Sequence, residues 1–170
     1  MTCVHTCALP ILAQLQGLKQ LRGIHLDGTQ VSDVGLTQVA RMAQVEYLLL
    51  SGTQVTDSGL AQIAGLTQLK WLDVSKTRLT NSGLAHVEKF NELERILLDD
   101  TLLTDEGLVH LRGHANLILV SLNNTRVTDA GLSHLYGLTQ LKVLLLKGTQ
   151  VTDKGVAKFQ IESPKCAIVR

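Results

Sequence analysis

The sequence has few aromatic residues, cysteines or prolines. Aromatic residues make up 3% of the 170 residues, and there are three cysteines and two prolines. Because 45% of the residues are hydrophobic, the core must be built in layers from Leu, Val, Ile and Ala rather than around large rings. Cys3, Cys7 and Cys166 lie at the two ends of the chain. This placement excludes a disulfide framework through the body and favours a reducing compartment.

The chain also lacks an excess of charge of one sign. Its 16 basic and 15 acidic residues give a formal net charge of +1, so no extended field attracts phosphate backbones or an anionic membrane. The N-terminal segment MTCVHTCALPILAQL has no basic leader region, and polar residues interrupt its apolar run. We therefore expect no secretory signal, no membrane span, no nucleic-acid partner and a cytoplasmic location.

What the sequence does contain is a repeat of 24 residues. Within one unit, Leu48 and Leu50 are two residues apart, as in a strand, whereas Leu60, Ile63 and Leu66 are three apart, as on the inner face of a helix. A unit that changes period in this way predicts a strand followed by a returning helix. Threonine marks the repeat at six positions: Thr29, Thr53, Thr77, Thr101, Thr125 and Thr149.

The repeat defines the predicted domain organisation. A solenoid buries its core by stacking neighbouring units, so we predict a single domain over residues 1–170. Six full repeats occupy 21–164, residues 8–20 form a partial N-terminal repeat or cap, and 165–170 form a partial C-terminal repeat. Ile168 falls where a seventh strand would place its first core residue. No element in the sequence covers that strand, which allows weak homo-oligomerisation through uncapped ends.

Two polar positions of the unit have predicted structural roles. The recurring Thr follows the strand, and we expect its hydroxyl to bond backbone groups of the adjacent repeat, forming a ladder. Thr-Asp before Gly-Leu indicates a helix start, since either side chain can accept a hydrogen bond from an amide of the first turn. We therefore interpret five aspartates as helix caps rather than as a carboxylate site: Asp33, Asp57, Asp105, Asp129 and Asp153.

The phrase T-x-V-T-D-x-G-L-x-x-L-x-x-L-x-x-L-x-x-L-x-L recurs in phase over about residues 9–169. It resembles the 24-residue leucine-rich repeats of bacterial proteins and is distantly similar to the repeats of ribonuclease inhibitor and F-box proteins. The resemblance implies a right-handed α/β solenoid, or horseshoe, with a parallel concave sheet and convex helices. It also implies a recognition scaffold for other proteins. Thr replaces the Cys or Asn of the ribonuclease-inhibitor pattern, so a similar partner is not implied.

Residues that flank the buried strand leucines should point out of the sheet and form columns across it. The first column contains Tyr, Trp and Arg, the residue types that dominate binding hot spots. A third column is polar and borders the first two, as at the edge of a protein-binding patch. The alternative is that these side chains only pack the sheet. The residues predicted to bind a partner protein are Tyr47, Leu49, Trp71, Asp73, Arg95, Leu97, Asp99 and Leu119.

Catalytic, metal and cofactor sites are not predicted. His86, His110 and His134 recur at the repeat period, so neighbouring helices about 10 Å apart hold them too far apart for one ion. His114 is four residues from His110, a spacing that can share a metal, but it aligns with an apolar row. Cys3, His5 and Cys7 lack a fourth ligand, and no G-x-x-x-x-G-K-[ST] loop occurs. We predict no enzyme and no cofactor, and the alternative to partner binding is a structural scaffold or spacer that assembles through its ends.

Overall fold

The computed structural model describes Leu18 and residues 20–170. Residues 8–17 and 19 of the predicted partial N-terminal repeat lie outside the described residues, as do Cys3, His5 and Cys7. One parallel sheet runs through the described part, and its strands follow one another in chain order. The strands are β1 (Gly23–His25), β2 (Tyr47–Leu49), β3 (Trp71–Asp73), β4 (Arg95–Leu97), β5 (Leu119–Ser121), β6 (Val143–Leu145) and β7 (Ala167–Val169).

The sheet keeps the repeat register across its whole width. Ile24 pairs with Leu48, and Leu48 pairs with Leu72, so the central residue of each strand lies beside its equivalent one repeat later. These central side chains are buried from β1 to β6. At the last strand, Leu144 pairs with Ile168, as the position of Ile168 in the repeat indicates.

Short helices return the chain on the other side of the sheet, and several turns are of the 3₁₀ type. The fourth repeat has only a 3₁₀ helix, in which Leu108 and Leu111 are both buried. Apolar residues three apart lie on one face of a helix with three residues per turn, which favours this form in short segments. The α-helices are α1 (Asp33–Val39), α2 (Asp57–Ile63), α3 (Asn81–Leu84), α4 (Asp129–Leu132) and α5 (Asp153–Glu162), and the 3₁₀ helices are Ala85–Lys89, Asp105–Leu111 and Ser133–Leu135.

One continuous core lies between the sheet and the helices. It consists almost entirely of aliphatic side chains, and both phenylalanines, Phe90 and Phe159, are fully buried in it. Each repeat contributes the same positions, so the core is a set of stacked layers. The architecture is the predicted α/β solenoid with a parallel sheet on one side and helices on the other.

The recurring threonines do not form the predicted ladder between repeats. Thr77 donates its hydroxyl hydrogen to the carbonyl of Val74 in its own repeat at 2.6 Å, and Thr53 does the same with Leu50 at 2.7 Å. The other four threonines of this position repeat the bond. The ladder prediction was wrong because the hydroxyl reaches the carbonyl of the residue that follows the strand in its own repeat.

The aspartates at the helix starts form side-chain hydrogen bonds between neighbouring repeats. Oδ1 of Asp57 accepts the Thr80 backbone N–H at 2.8 Å, and its Oδ2 accepts the Thr80 hydroxyl at 2.6 Å. We call this pair of bonds the inter-repeat clamp. Asn81 makes a similar clamp with Thr104: its Oδ1 accepts the Thr104 backbone N–H, and its Nδ2 donates to the Thr104 hydroxyl. The other clamps join Asp33 to Thr56, Asp105 to Thr128 and Asp129 to Thr152.

The aspartates are therefore not the helix caps, and that prediction was wrong. At four helices the preceding threonine caps instead: the Thr56 side chain accepts a hydrogen bond from the Ser58 backbone N–H, and Thr80, Thr128 and Thr152 also accept first-turn amides. Ser32 and Thr104 precede their helices without a side-chain capping bond. The carboxylate, one residue further along, reaches the next coil. Asp153, in the last full repeat, pairs with Arg170.

Each clamp requires glycine in the following repeat. A Cβ atom on Gly83 would lie within 3.0 Å of Oδ1 of Asp57, closer than real Cβ atoms approach. The same conflict with the preceding Asp or Asn occurs at Gly59, Gly107, Gly131 and Gly155. The Asp and the Gly of the T-D-x-G phrase therefore make contact across neighbouring repeats.

Candidate functional site

Six of the predicted binding residues form a grid on the outer face of three adjacent strands. Tyr47 pairs with Trp71, and Trp71 pairs with Arg95. Two residues further along the same strands, Leu49, Asp73 and Leu97 are also in register. We call the six residues Tyr47, Leu49, Trp71, Asp73, Arg95 and Leu97 the strand-face patch.

An aromatic and cationic stack forms one row of the strand-face patch. The guanidinium carbon of Arg95 lies 5.1 Å from the centroid of the Trp71 ring, within the range of a cation–π interaction. Tyr47 is 39% exposed. The indole nitrogen of Trp71 is buried and has no hydrogen-bond partner among the described residues. Arg95 and Trp71 therefore make a direct contact between adjacent strands.

The other row has a carboxylate between two leucines. Asp73 is half-buried and accepts a hydrogen bond from the Ser75 backbone N–H at 2.9 Å. Burial raises the pKa of Asp73; the hydrogen bond from the Ser75 backbone N–H opposes this, and the charges of Asp27 and Asp99 add to it. Desolvation favours the neutral form of a carboxyl group, so the surroundings of Asp73 stabilise its negative charge poorly.

The two remaining predicted residues extend from this patch. Leu119 follows Arg95 in the first column and is half-buried. The carboxylate of Asp99 accepts hydrogen bonds from the Ser121 hydroxyl and from the backbone and side-chain amides of Asn123. The carboxylate of Asp99 is therefore already hydrogen-bonded within the protein. The polar border forms similar bonds elsewhere, from the Ser51 N–H to Asp27 and from the Lys147 N–H to Asn123.

Sequence reasoning missed the charged row that borders the patch at the start of the strands. Lys70 and Glu46 form an ion pair at 2.9 Å, which Arg22 joins at 3.4 Å. The hydrogen bond from Lys70 lowers the pKa of Glu46, and Glu46 raises the pKa of Lys70. Lys70 and Glu94 line a shallow cleft with Tyr47, Trp71 and Arg95. The recurrence of charged residues at 22, 46, 70 and 94 was the available signal.

A second hollow, also not predicted, lies over the turns that follow the strands. Its lining includes Lys76 and Arg78. Lys76 has a φ of 56°, a left-handed conformation that Gly28, Gly52 and Gly148 occupy at the equivalent position. A non-glycine residue at that turn position was the sequence signal. The other lining residues are Thr53, Gln54, Thr77 and Asp100.

Side chains that could bind a metal ion are engaged elsewhere. No group of three or more His, Cys, Asp or Glu side chains in the described part of the chain is placed to hold an ion. Nδ1 of His110 lies 2.6 Å from Glu88, and His134 contacts Arg112. Burial raises the pKa of the Cys166 thiol to about 11, which leaves the thiol protonated near neutral pH. The described residues also contain no helix long and apolar enough to span a bilayer.

His114 occupies an apolar row and makes the fold sensitive to acid. It is buried, and its Nε2 lies 3.0 Å from the Val87 carbonyl. Burial lowers its pKa in the folded chain below 6.5, so the unfolded chain binds the proton first as pH falls. We expect the unfolding free energy of the wild type to drop between pH 7 and 5, and that of His114→Leu to drop less. Urea unfolding at both pH values measures this, and parallel losses in the two proteins would contradict it.

Comparison with known proteins gives relatives by structure alone. No model of a protein family matches the sequence, and no curated protein matches it. The solved structure of internalin C2 from Listeria monocytogenes is similar, with 27% identity and a TM-score of 0.75 over 91% of this chain and 63% of that chain. An internalin, inlF, from the same bacterium shares the fold, with 18% identity and a TM-score of 0.58 over 93% of this chain and 56% of that chain.

The chain therefore spans less than two thirds of the length of either solved structure. What it shares with them is the stacked unit of a short parallel strand and a returning helix. That unit, the 24-residue period and the seven-stranded sheet identify the chain as a leucine-rich-repeat protein.

Proposed function

We propose that this chain is a non-catalytic protein-binding module that recognises a partner protein through the strand-face patch. The observation that carries the proposal is the stack of Arg95 on Trp71 beside the exposed Tyr47. Side chains of these three types provide most hot spots of protein interfaces. Half-buried leucines, Leu49 and Leu97, lie next to the stack, so the patch offers apolar area as well as directed contacts.

The shape and charge of the face favour a protein over other ligands. The cleft at Trp71 has a volume of about 170 Å³, which is below the usual range for small-molecule pockets. The near-neutral chain offers little attraction to nucleic acid. Solenoids in general bind partners on their extended concave surfaces, which supports recognition through the exposed face of the sheet.

A pull-down with matched variants tests the proposal. Wild-type protein and a Trp71→Ala, Leu97→Asp double variant are immobilised and exposed to an extract of the cells that carry the protein. We expect a specific partner to be retained by the wild type and reduced at least tenfold by the double variant, because hot-spot truncation costs about 2 kcal/mol or more.

Leu102→Asp is the matched control. Leu102 is 48% exposed and lies outside the strand-face patch, so the same change of an exposed leucine should leave retention intact. Circular dichroism establishes that the variants are folded. Equal recovery on wild type and double variant would count against the patch.

The alternative function is a scaffold that assembles through its end. Two exposed apolar residues favour it: Ile161 is 78% exposed and Val169 is 51% exposed, and Val169 belongs to β7, which pairs with β6 alone among the described residues. An unpaired strand edge is a template for further pairing. A mass that rises with concentration in sedimentation, together with a strand-face patch that retains nothing, would favour this function instead.

A further inference from the structure

The strand-face patch contains two charges of opposite sign, and neither has an ion-pair partner. Asp73 and Arg95 take part in none of the salt bridges found within Leu18 and residues 20–170. Two charges beside the patch are compensated, since Glu46 is paired with Lys70 and Asp99 is hydrogen-bonded to Ser121 and Asn123. Within the six residues of the strand-face patch, Asp73 and Arg95 are the charges left to meet a ligand.

The geometry keeps these two charges apart. Arg95 lies in register with Trp71, whereas Asp73 lies in register with Leu97. The two residues are thus diagonal neighbours on adjacent strands, which corresponds to about 7–8 Å between their α-carbons. The guanidinium of Arg95 stacks on Trp71 and does not reach the carboxylate. A ligand that covers both side chains must therefore match a cation at Arg95 and an anion at Asp73, in that order along the face.

The surroundings of Asp73 make a cation the fitting contact. The carboxylate lies between Leu49 and Leu97 on the two neighbouring strands and is half-buried. Asp27 and Asp99 repel its charge, and no salt bridge among the described residues offsets this repulsion. An apolar cover on this position would remove the remaining water from an unpaired charge, which is strongly unfavourable. A basic side chain of the partner would offset that cost, whereas an acidic side chain opposite Asp73 would be repelled.

We propose that the partner presents a basic side chain to Asp73 and an acidic side chain to Arg95, with apolar side chains against Leu49 and Leu97. This inference rests on the proposed function of the strand-face patch. Residues i and i+2 of an extended segment, about 7 Å apart, have the required spacing. The proposal excludes partner surfaces that are wholly apolar or of a single charge sign over the patch.

Selection from a library of random 16-residue peptides displayed on phage tests the inference on the full chain. The enriched peptides are synthesised, and their dissociation constants are measured by titration calorimetry. We expect them to combine Lys or Arg, Asp or Glu, and apolar residues. Asp73→Asn and Arg95→Gln should each weaken the best peptide about tenfold, as is typical for partly desolvated charge contacts. Glu92→Gln and Arg126→Gln are matched controls on exposed residues outside the patch and should change nothing.

A charge exchange identifies the contact made by Asp73. Replacing the basic residue of the peptide by Glu should abolish binding to the wild type and restore at least a third of the affinity towards Asp73→Lys. A restored affinity is the signature of direct coupling between the two residues. Asp73→Asn keeps the acceptor for the Ser75 N–H, so a loss caused only by misfolding is detected by comparing its unfolding midpoint with that of the wild type.

The outcomes separate this inference from the function on which it rests. If the peptides bind Leu97→Asp weakly but bind Asp73→Asn and Arg95→Gln as tightly as the wild type, the proposed arrangement of charges is wrong and the binding face is retained. Peptides that ignore all three changes, or the absence of any enriched peptide, would overturn both.

Discussion

Replacing Gly131 with alanine is expected to destabilise the protein by about 2–4 kcal/mol, although it adds only one methyl group. The new Cβ would come within 3.0 Å of Oδ1 of Asp105. That oxygen accepts the Thr128 backbone N–H at 2.7 Å. Moving the carboxylate away would break the inter-repeat clamp and leave a part-buried donor without a partner. Chemical unfolding followed by circular dichroism measures the effect.

Gly137→Ala is the matched control in the same repeat. A Cβ there meets nothing within 4 Å, and the backbone of Gly137 is not left-handed, so the change should alter stability by less than about 0.5 kcal/mol. Asp105→Ala supplies the second arm, since it removes the clamp and most of the collision. The Asp105→Ala, Gly131→Ala double variant should cost at least about 1 kcal/mol less than the sum of the single changes. Strict additivity would show that the glycine is required for another reason.

The inter-repeat clamp shows why some roles could not be predicted from the sequence. Asp57 is adjacent to Thr56 along the chain and to Thr80 in space. Because both positions hold the same residue type, a contact across repeats has the same sequence signature as a local helix-capping motif. The Asp was assigned to the first turn of its own helix, and the recurring Thr77 was assigned to the neighbouring repeat when its partner is Val74. In a repeat protein, periodicity locates a residue but does not decide which copy it contacts.

The layers, by contrast, could be predicted because they depend only on periodicity. Residues two apart in a strand face the same side, and parallel pairing in register places equivalent residues side by side. This was enough to predict that Tyr47, Trp71 and Arg95 are neighbours. The same reasoning missed Lys70 and Glu94, because they precede the strands and fall outside strict alternation. It also could not show that Asp99 is engaged by Ser121 and Asn123, since side-chain partners depend on turn geometry.

The largest loss of stability is expected from Phe90→Ala, about 3–5 kcal/mol. Phe90 is fully buried in the third repeat, and its side chain is one of the largest in the core. Its removal opens a cavity between layers that come from neighbouring coils. In a solenoid each repeat contacts only its neighbours, so stability is close to a sum of repeat and interface contributions. A weak layer in the middle should therefore uncouple the repeats before it from those after it.

Phe159→Ala tests whether position along the array matters beyond burial. Phe159 is equally buried but lies in α5, near the C-terminal end, where its ring contacts Tyr136. Its removal should cost a similar free energy locally, yet leave the hydrogen-exchange protection of strands β1 to β4 unchanged. Phe90→Ala should instead reduce protection on both sides of the third repeat and broaden the unfolding transition. Equal and uniform losses of protection in both variants would mean that the array unfolds as a single cooperative unit, with the inter-repeat clamps strong enough to transmit the damage from one end to the other.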